Sequence, residues 1–240
     1  MSLNLNGVLA QSRILVIMPH PDDETFACGG TIARAKANGA SVYVMIMSAG
    51  DLNHYHKGMH QVSGQTRAKE LERAMACLAV DCHTVVYLDT DRHLRLDALP
   101  RRDLIAQIER ESELAIDKVQ PDIVVLPAPS YNQDHEATFH AGFAACRPHL
   151  PSEKPFVPVV LAADSPQLGW SVAPPHLSVY VDISGCYLSK KLEAHSCHKS
   201  QLRPPPHHAS LENVERLARL RGSEVAVEAA EAFVCHRWLL

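Results

Sequence analysis

Short apolar runs alternate with segments of helical composition along the first half of the chain. Arg13-Ile-Leu-Val-Ile-Met18 is a run of strand length that stops at a His-Pro, and Ser41-Val-Tyr-Val-Met-Ile-Met47 is a second one. Between them, residues 31–38 have helical composition and end at Gly39. The order repeats: the pattern predicts a helix over 65–78, a strand over 84–88, a helix from about 103 to 119, a strand over 123–126 and a helix over 137–146. Alternation at this spacing predicts right-handed parallel crossovers, hence a mostly parallel sheet with helices on both faces. The texture then changes. Pro148, Pro151, Pro155 and Pro158 punctuate the chain, and the less regular strands at 157–162 and 177–183 are expected at the sheet edge. Residues 190–200 and 211–221 read as helices separated by Arg203-Pro-Pro-Pro-His-His208. No internal repeat appears, so the expectation is one α/β domain over residues 1–240 with a Pro-rich C-terminal elaboration.

Composition narrows the partners. A hydrophobic content of 46% with 21% charged residues supports a packed core and excludes disorder as the main state. With 23 Lys+Arg against 27 Asp+Glu the net charge is -4, which gives no general electrostatic reason to bind nucleic acid or an anionic membrane. A small or neutral partner is expected. The run Ile14–Met18 is far short of the roughly 20 residues of a membrane helix and no basic segment precedes it, so neither a signal peptide nor a membrane span is expected. Seven scattered cysteines without a CxxC pair, and no NxS/T sequon, point to a reducing cytoplasm instead of a disulfide framework or thiolate zinc site. The one compositional excess is histidine, with 15 residues.

Position gives those histidines meaning. In an open, Rossmann-like sheet, ligands bind beyond the carboxyl ends of the strands. The first strand ends in His20-Pro21-Asp22-Asp23-Glu24 and the fourth is followed by Ser130-Tyr131-Asn132-Gln133-Asp134-His135, which places both loops on one sheet edge. Together they offer the two imidazoles and one carboxylate of a catalytic zinc site with an open position for water. Residues three apart in a tight turn can converge on one metal, so His20 and Asp23 are expected as ligands, with His135 as the third. Asp22 is then left beside the metal water as its general base. Asp134 is expected to orient a ligand from behind. Singly, each of these residues has a plainer reading, a hydrogen-bonded loop histidine or an acidic helix start. Their meeting at one sheet edge favours the metal.

At these residues the sequence resembles the zinc-dependent N-deacetylases of the PIG-L and LmbE-like family. Met18-Pro-His-Pro-Asp-Asp-Glu-Thr-Phe-Ala-Cys-Gly-Gly30 is similar to the family's PHPDDE…GG signature, and the family implies the same roles for His20, Asp23 and Asp22. Arg67-Ala-Lys-Glu-Leu71 resembles an RxxEL element whose arginine faces the substrate, and Pro121-Asp-Ile-Val124 resembles the approach to the second metal motif. Residues 191–201, ending in His198-Lys-Ser-Gln201, resemble KxxxLxxHxSQ, whose histidine approaches the active site; residues 228–233 resemble the closing AEAF. One departure stands out: where the family most often has HxDH, this chain has Asn132-Gln-Asp-His135. An Asn amide can donate a hydrogen bond to an oxyanion but cannot deliver a proton. Protonation of the leaving amine would then fall to Asp22 acting twice or to His198.

The resemblance implies one Zn2+ per chain and removal of an N-acetyl group from a small amino sugar or glycoconjugate, with Arg67 and Tyr131 as substrate-binding residues and homo-oligomers, often trimers or hexamers. Three rivals remain: an amidase for a larger conjugate or longer acyl group, a degenerate member that keeps zinc without catalysis, and a nucleotide-binding module. The last is weak, because neither GxGxxG nor GxxxxGK[ST] occurs. His54, His56 and His60 follow the second strand and are read as a polar loop on the substrate side. His207-His208 is read as a solvated loop rather than a ligand pair, and Cys28 as packing rather than a nucleophile.

Overall fold

The computed structural model describes residue 7 and residues 9–53, 61–165 and 175–239. His54, His56 and His60 lie outside the described residues. In chain order the main elements are β1 (Arg13–Met18), α1 (Asp23–Ala37), β2 (Ser41–Ser48), α2 (Gly64–Cys77), β3 (Cys82–Tyr87), α3 (Arg101–Ala106), α4 (Ile116–Val119), β4 (Ile123–Pro127) and α5 (Gln133–Ala145). β5 (Val159–Ala163), β6 (Val179–Asp182), α6 (Cys186–His195), α7 (Leu211–Ser223) and β7 (Ala230–Trp238) follow. The strands form one seven-stranded sheet in the order β3-β2-β1-β4-β5-β7-β6. β1 pairs in parallel with β2 and β4, with Ile14 opposite both Val42 and Ile123. β7 alone points against the other six strands, antiparallel to both β5 and β6.

The sheet separates two apolar layers, and the alternation along β1 shows how the sequence builds both. Ile14, Val16 and Met18 face a cluster that contains Ile32 of α1, Leu71 of α2 and Leu188 of α6. Leu15 and Ile17 face the opposite cluster with Leu104 of α3 and Phe139 of α5. A strand covered on both sides has no polar face to present, which is why β1 reads as a continuous apolar run.

The α/β class with helices on both faces is as the sequence predicts, and several details differ. α1 and α5 begin at Asp23 and Gln133, well before residues 31 and 137. The helix expected over 103–119 is interrupted: a π-helical turn over Gln107–Glu111 follows α3, and Ser112 leaves helical geometry at ψ 155. The C-terminal helix expected over 190–200 lies one turn earlier, at Cys186–His195. β5 is not at the edge. β7, which sequence patterning leaves unassigned, inserts between β5 and β6 and makes β6 the edge strand.

Candidate metal centre and active site

Strand order reverses between β1 and β4, because the chain runs outward from β1 to β3 and returns to β4 on the other side of β1. A crevice at such a reversal is the favoured ligand position in this architecture. His20 leaves β1 there, and His135 sits in the first turn of α5, after β4.

His20, Asp23 and His135 each present one ligand atom, all within 4.8 Å of one another. Asp23 Oδ2 lies 3.3 Å from His20 Nδ1 and 3.3 Å from His135 Nε2. Donors at the corners of a tetrahedron with zinc bonds of 2.0–2.1 Å are about 3.3–3.4 Å apart, so these separations fit that ion. The tautomer fits as well. His20 Nε2 is 3.0 Å from Asp134 Oδ2, and a proton shared there leaves the Nδ1 lone pair facing Asp23 and His135. Asp134 is itself fully buried, and its Oδ1 accepts the Leu96 amide at 2.9 Å. The three predicted ligands and the predicted orienting carboxylate are therefore brought together.

Electrostatics reflect this crowding. Burial alone would lower the His20 pKa, but the Asp134 and Asp23 carboxylates raise it to about 9, so without a cation the ring holds a second proton, which a bound cation would displace from Nδ1. Burial would raise Asp23; His135 and His20 overcome it and hold that carboxyl well below the usual range. Asp22 goes the other way. Burial first, and the Asp23 charge second, push it up to about 7, against the opposing pull of Arg67 and His198. Two adjacent carboxyls are thus shifted in opposite directions, Asp23 favoured as the anion and Asp22 toward its protonated form.

Asp22 is held in the left-handed region, at φ 114, a conformation that strains a residue with a Cβ. Its neighbours hold it: its amide donates to Glu24 Oε2 at 2.9 Å, and its carbonyl accepts the Thr25 hydroxyl at 2.9 Å and the Phe26 amide at 3.0 Å. Glu24 Oε1 in turn lies 2.8 Å from His198 Nε2, with both side chains fully buried. His198 therefore stands behind the turn, linked to Asp22 through Glu24. Its pKa is raised: burial opposes protonation, and Glu24 more than compensates.

Arg67 is also buried, at 3% exposure. Its guanidinium donates to the Pro21 carbonyl at 3.3 Å and to His93 Nε2 at 2.5 Å. Burial and Arg67 lower the His93 pKa to about 3, which keeps that ring neutral and able to accept. Asn132 caps α5, its Oδ1 accepting the Asp134 amide at 2.9 Å, which leaves the Nδ2 amide as the group available to donate elsewhere. Tyr131 beside it is 54% exposed.

A polar cavity of about 180 Å³ opens against Asp22, Asp23 and Phe26, and its far wall is formed by Gln201, Arg203, His207 and His208. The His207 and His208 rings lie 4.2 Å apart, and His208 meets the Phe26 ring edge-on at 6.3 Å. His207 and His208 do not belong to the three-residue metal-ligand cluster found among the described residues, which is His20, Asp23 and His135. The loop nonetheless walls the candidate site, which its sequence did not suggest. Cys28 is fully buried and its thiol pKa is raised well above normal by burial, as packing requires and a nucleophile does not.

Against known proteins, residues 15–146, more than half of the chain, match the family model PIG-L, described as GlcNAc-PI de-N-acetylase. The chain belongs to this family. Among its relatives, an "uncharacterized deacetylase YaiS" of Escherichia coli (strain K12) is 27% identical over 204 residues, spanning 82% of this chain and 95% of that protein. A "probable N-acetyl-alpha-D-glucosaminyl L-malate deacetylase 2" of Bacillus anthracis is 24% identical over 80% of this chain and 82% of its own length. The conserved protein TT1542 of Thermus thermophilus superposes with a TM-score of 0.73 at 25% identity, covering 95% of this chain and 96% of its own. The fold also carries other chemistry. GalB, a 4-carboxy-2-hydroxymuconate hydratase from Pseudomonas putida KT2440, superposes with a TM-score of 0.71 at 21% identity, over 95% of this chain and 98% of its own.

Proposed function

We propose that this PIG-L protein is a zinc-dependent N-deacetylase that releases acetate from an amino sugar or amino-sugar conjugate. The observation that carries the reading is the Asp22 carboxyl at the cavity floor, next to a three-donor cluster with zinc-like spacing. The deacetylase relatives and family membership support the reaction class. Zinc in this site would supply positive charge that polarises an acyl carbonyl and acidifies water. His20, Asp23 and His135 would hold it, and Asp134 fixes the His20 ring.

Asp22 removes the proton from the attacking water. Its raised pKa suits a group that later returns the proton to the departing amine. Asp22 lines the cavity while His198 is enclosed behind Glu24, so Asp22 is assigned the second transfer and His198 the task of keeping Glu24 and the Asp22 turn in place. Asn132 donates its Nδ2 amide to the oxyanion. Arg67 holds the Pro21 carbonyl and keeps a positive charge near Asp22 and Asp23; Gln201, Arg203 and the His207-His208 wall of the cavity, together with the exposed Tyr131 outside that lining, contact the sugar or its conjugate. No helix among the described residues is long and apolar enough to cross a membrane, and all seven cysteines are free. A reducing cytoplasm, a small-molecule substrate and no nucleic-acid partner complete the proposal.

Amine release from a panel of N-acetylated sugars, glycosides and larger acyl conjugates, for wild type and zinc-loaded Asp22→Asn, tests it. The expected result is turnover that falls by about 10²–10⁴ in the variant, the range for loss of a general base. Activity only on longer acyl groups would contradict release of acetate and favour the longer-acyl amidase instead. Zinc-replete protein without Asp22-dependent turnover on any member would contradict the reading and favour a degenerate zinc-binding protein.

A further inference from the structure

α1 is two helical pieces joined at Cys28, whose φ of -143° and ψ of 22° break the helix. The first piece carries Asp23 and Glu24 and is continuous with the Asp22 turn; the second packs on the sheet. In an uninterrupted helix the Gly30 amide is the partner of the Phe26 carbonyl, four residues back. Here Gly30 donates to Glu231 Oε1 at 2.9 Å, and the Phe26 carbonyl accepts from Lys191 Nζ at 2.7 Å. Lys191 Nζ and Glu231 Oε1 are themselves 2.5 Å apart, and Glu231 Oε2 accepts the Thr31 amide at 2.6 Å. An ion pair is thus inserted at one rung of the helix ladder, with a cation on the carbonyl end of the first piece and an anion on the amide end of the second, the polarity each helix end favours.

We propose that the Lys191–Glu231 pair is a splint that sets the direction of the helix piece bearing Asp22, Asp23 and Glu24, and so positions the metal turn. It comes from the far end of the chain, Lys191 from α6 and Glu231 from β7, with each side chain only 3% exposed. Salt and water therefore do little to weaken it. One glycine matters to this packing: a Cβ on Gly30 would lie 2.7 Å from Ile183 Cδ1, so the start of the second piece sits this close to Ile183 only with glycine there. Lys191 and Glu231 touch neither cavity nor ligand cluster; their role is positioning. The inference rests on reading His20, Asp23 and His135 as metal ligands.

The test uses the full chain and two measurements: zinc affinity by competition with a chromophoric chelator, and hydrogen exchange over residues 20–31. Lys191→Met is expected to weaken zinc by about tenfold or more, as loss of an orienting group does, and to speed exchange in 20–31 while β1, β2 and β4 keep wild-type protection. Lys191→Arg, which restores the charge, should recover most of the affinity. A global loss of stability alone would lower the melting temperature without changing zinc affinity in the folded protein. Zinc affinity within about twofold of wild type in Lys191→Met, or faster exchange spread evenly over the sheet, would overturn the splint. If Lys191→Met does not fold, Glu231→Gln, which keeps an acceptor for the Gly30 amide and loses the charge, is read by the same criteria. A wild type that takes up no zinc would remove the metal reading, and the splint would then stand or fall on the exchange pattern.

Discussion

At the scale of single residues, the site works by assigning different environments to similar groups. Asp22 and Asp23 are neighbours in sequence, yet Asp23 lies between two imidazoles while Asp22 has burial and the Asp23 charge against its ionisation. Arg67 is the strongest force keeping Asp22 ionised. A general base must be deprotonated to act, so kcat/KM should rise with pH along a limb at or below about 7, since a bound cation lowers the Asp22 pKa further. Removing the Arg67 charge favours the protonated carboxyl. Arg67→Gln should therefore move that limb to higher pH, as read from the kcat/KM profile of each protein; an unmoved limb would mean that another group titrates. His20, Asp22, Asp23 and His135 were legible because strand ends and residue chemistry suffice to name them. Glu24, His93 and the Lys191–Glu231 pair were not, since their roles depend on contacts across the fold, such as Lys191 with Glu231 40 residues away.

At the scale of elements, the beginnings of helices carry the chemistry. α5 starts at Gln133 with Asn132 as its cap, and α1 starts at Asp23 directly after the strained Asp22. Patterning placed both starts too late because polar residues open these helices and Gly29-Gly30 mimics a helix stop. Asn132 is predicted to have two separable jobs. Asn132→Ala loses the cap and the amide donor, so it should cost about 1 kcal/mol of stability as well as turnover. Asn132→Asp keeps a capping oxygen but has no N–H for an oxyanion; it should retain the wild-type melting temperature and lose turnover by about 10²–10³. Equal turnover in Asn132→Asp and wild type, measured beside thermal unfolding, would leave only the cap. The strands show the converse lesson. β1 and β2, buried on both faces, announce themselves as apolar runs, whereas β7 mixes Glu231, His236 and Arg237 into its nine residues and is recognisable only from its pairing with β5 and β6.

At the scale of the whole molecule, buried histidines couple stability to pH. Burial, with His198 and Lys191 adding to it, depresses the His195 pKa to about 3 from the ordinary 6.5. The unfolded chain binds this proton at a pH where the folded chain does not, so stability is lost as pH falls from 6.5 toward 3, by up to about 1.4 kcal/mol per pH unit. Asp22, with its raised pKa, acts in the opposite sense over part of that window, so a difference between two proteins isolates His195. The slope of unfolding free energy against pH between 6 and 4.5 should be shallower in His195→Gln by roughly 1 kcal/mol per unit, read by urea unfolding. Parallel slopes would mean that His195 protonates in the folded state. The strand order explains why a reading from one sequence reached the site at all: β1 and β4 are adjacent and parallel, so the loops after them meet at the crevice whatever happens at the far edge. The misplacement of β5 left that crevice untouched, while the 201–209 wall, contributed by an irregular Pro-rich stretch without periodicity, had no local signal to read.

The central claim is that His20, Asp23 and His135 hold a catalytic metal beside Asp22. Zinc per chain, measured by elemental analysis on wild type, His135→Ala and Asp22→Asn purified in parallel without chelator, tests it most directly. About one zinc is expected in wild type and in Asp22→Asn, with its loss in His135→Ala. Zinc that persists without His135, or wild-type protein that remains metal-free after zinc is supplied, would contradict it.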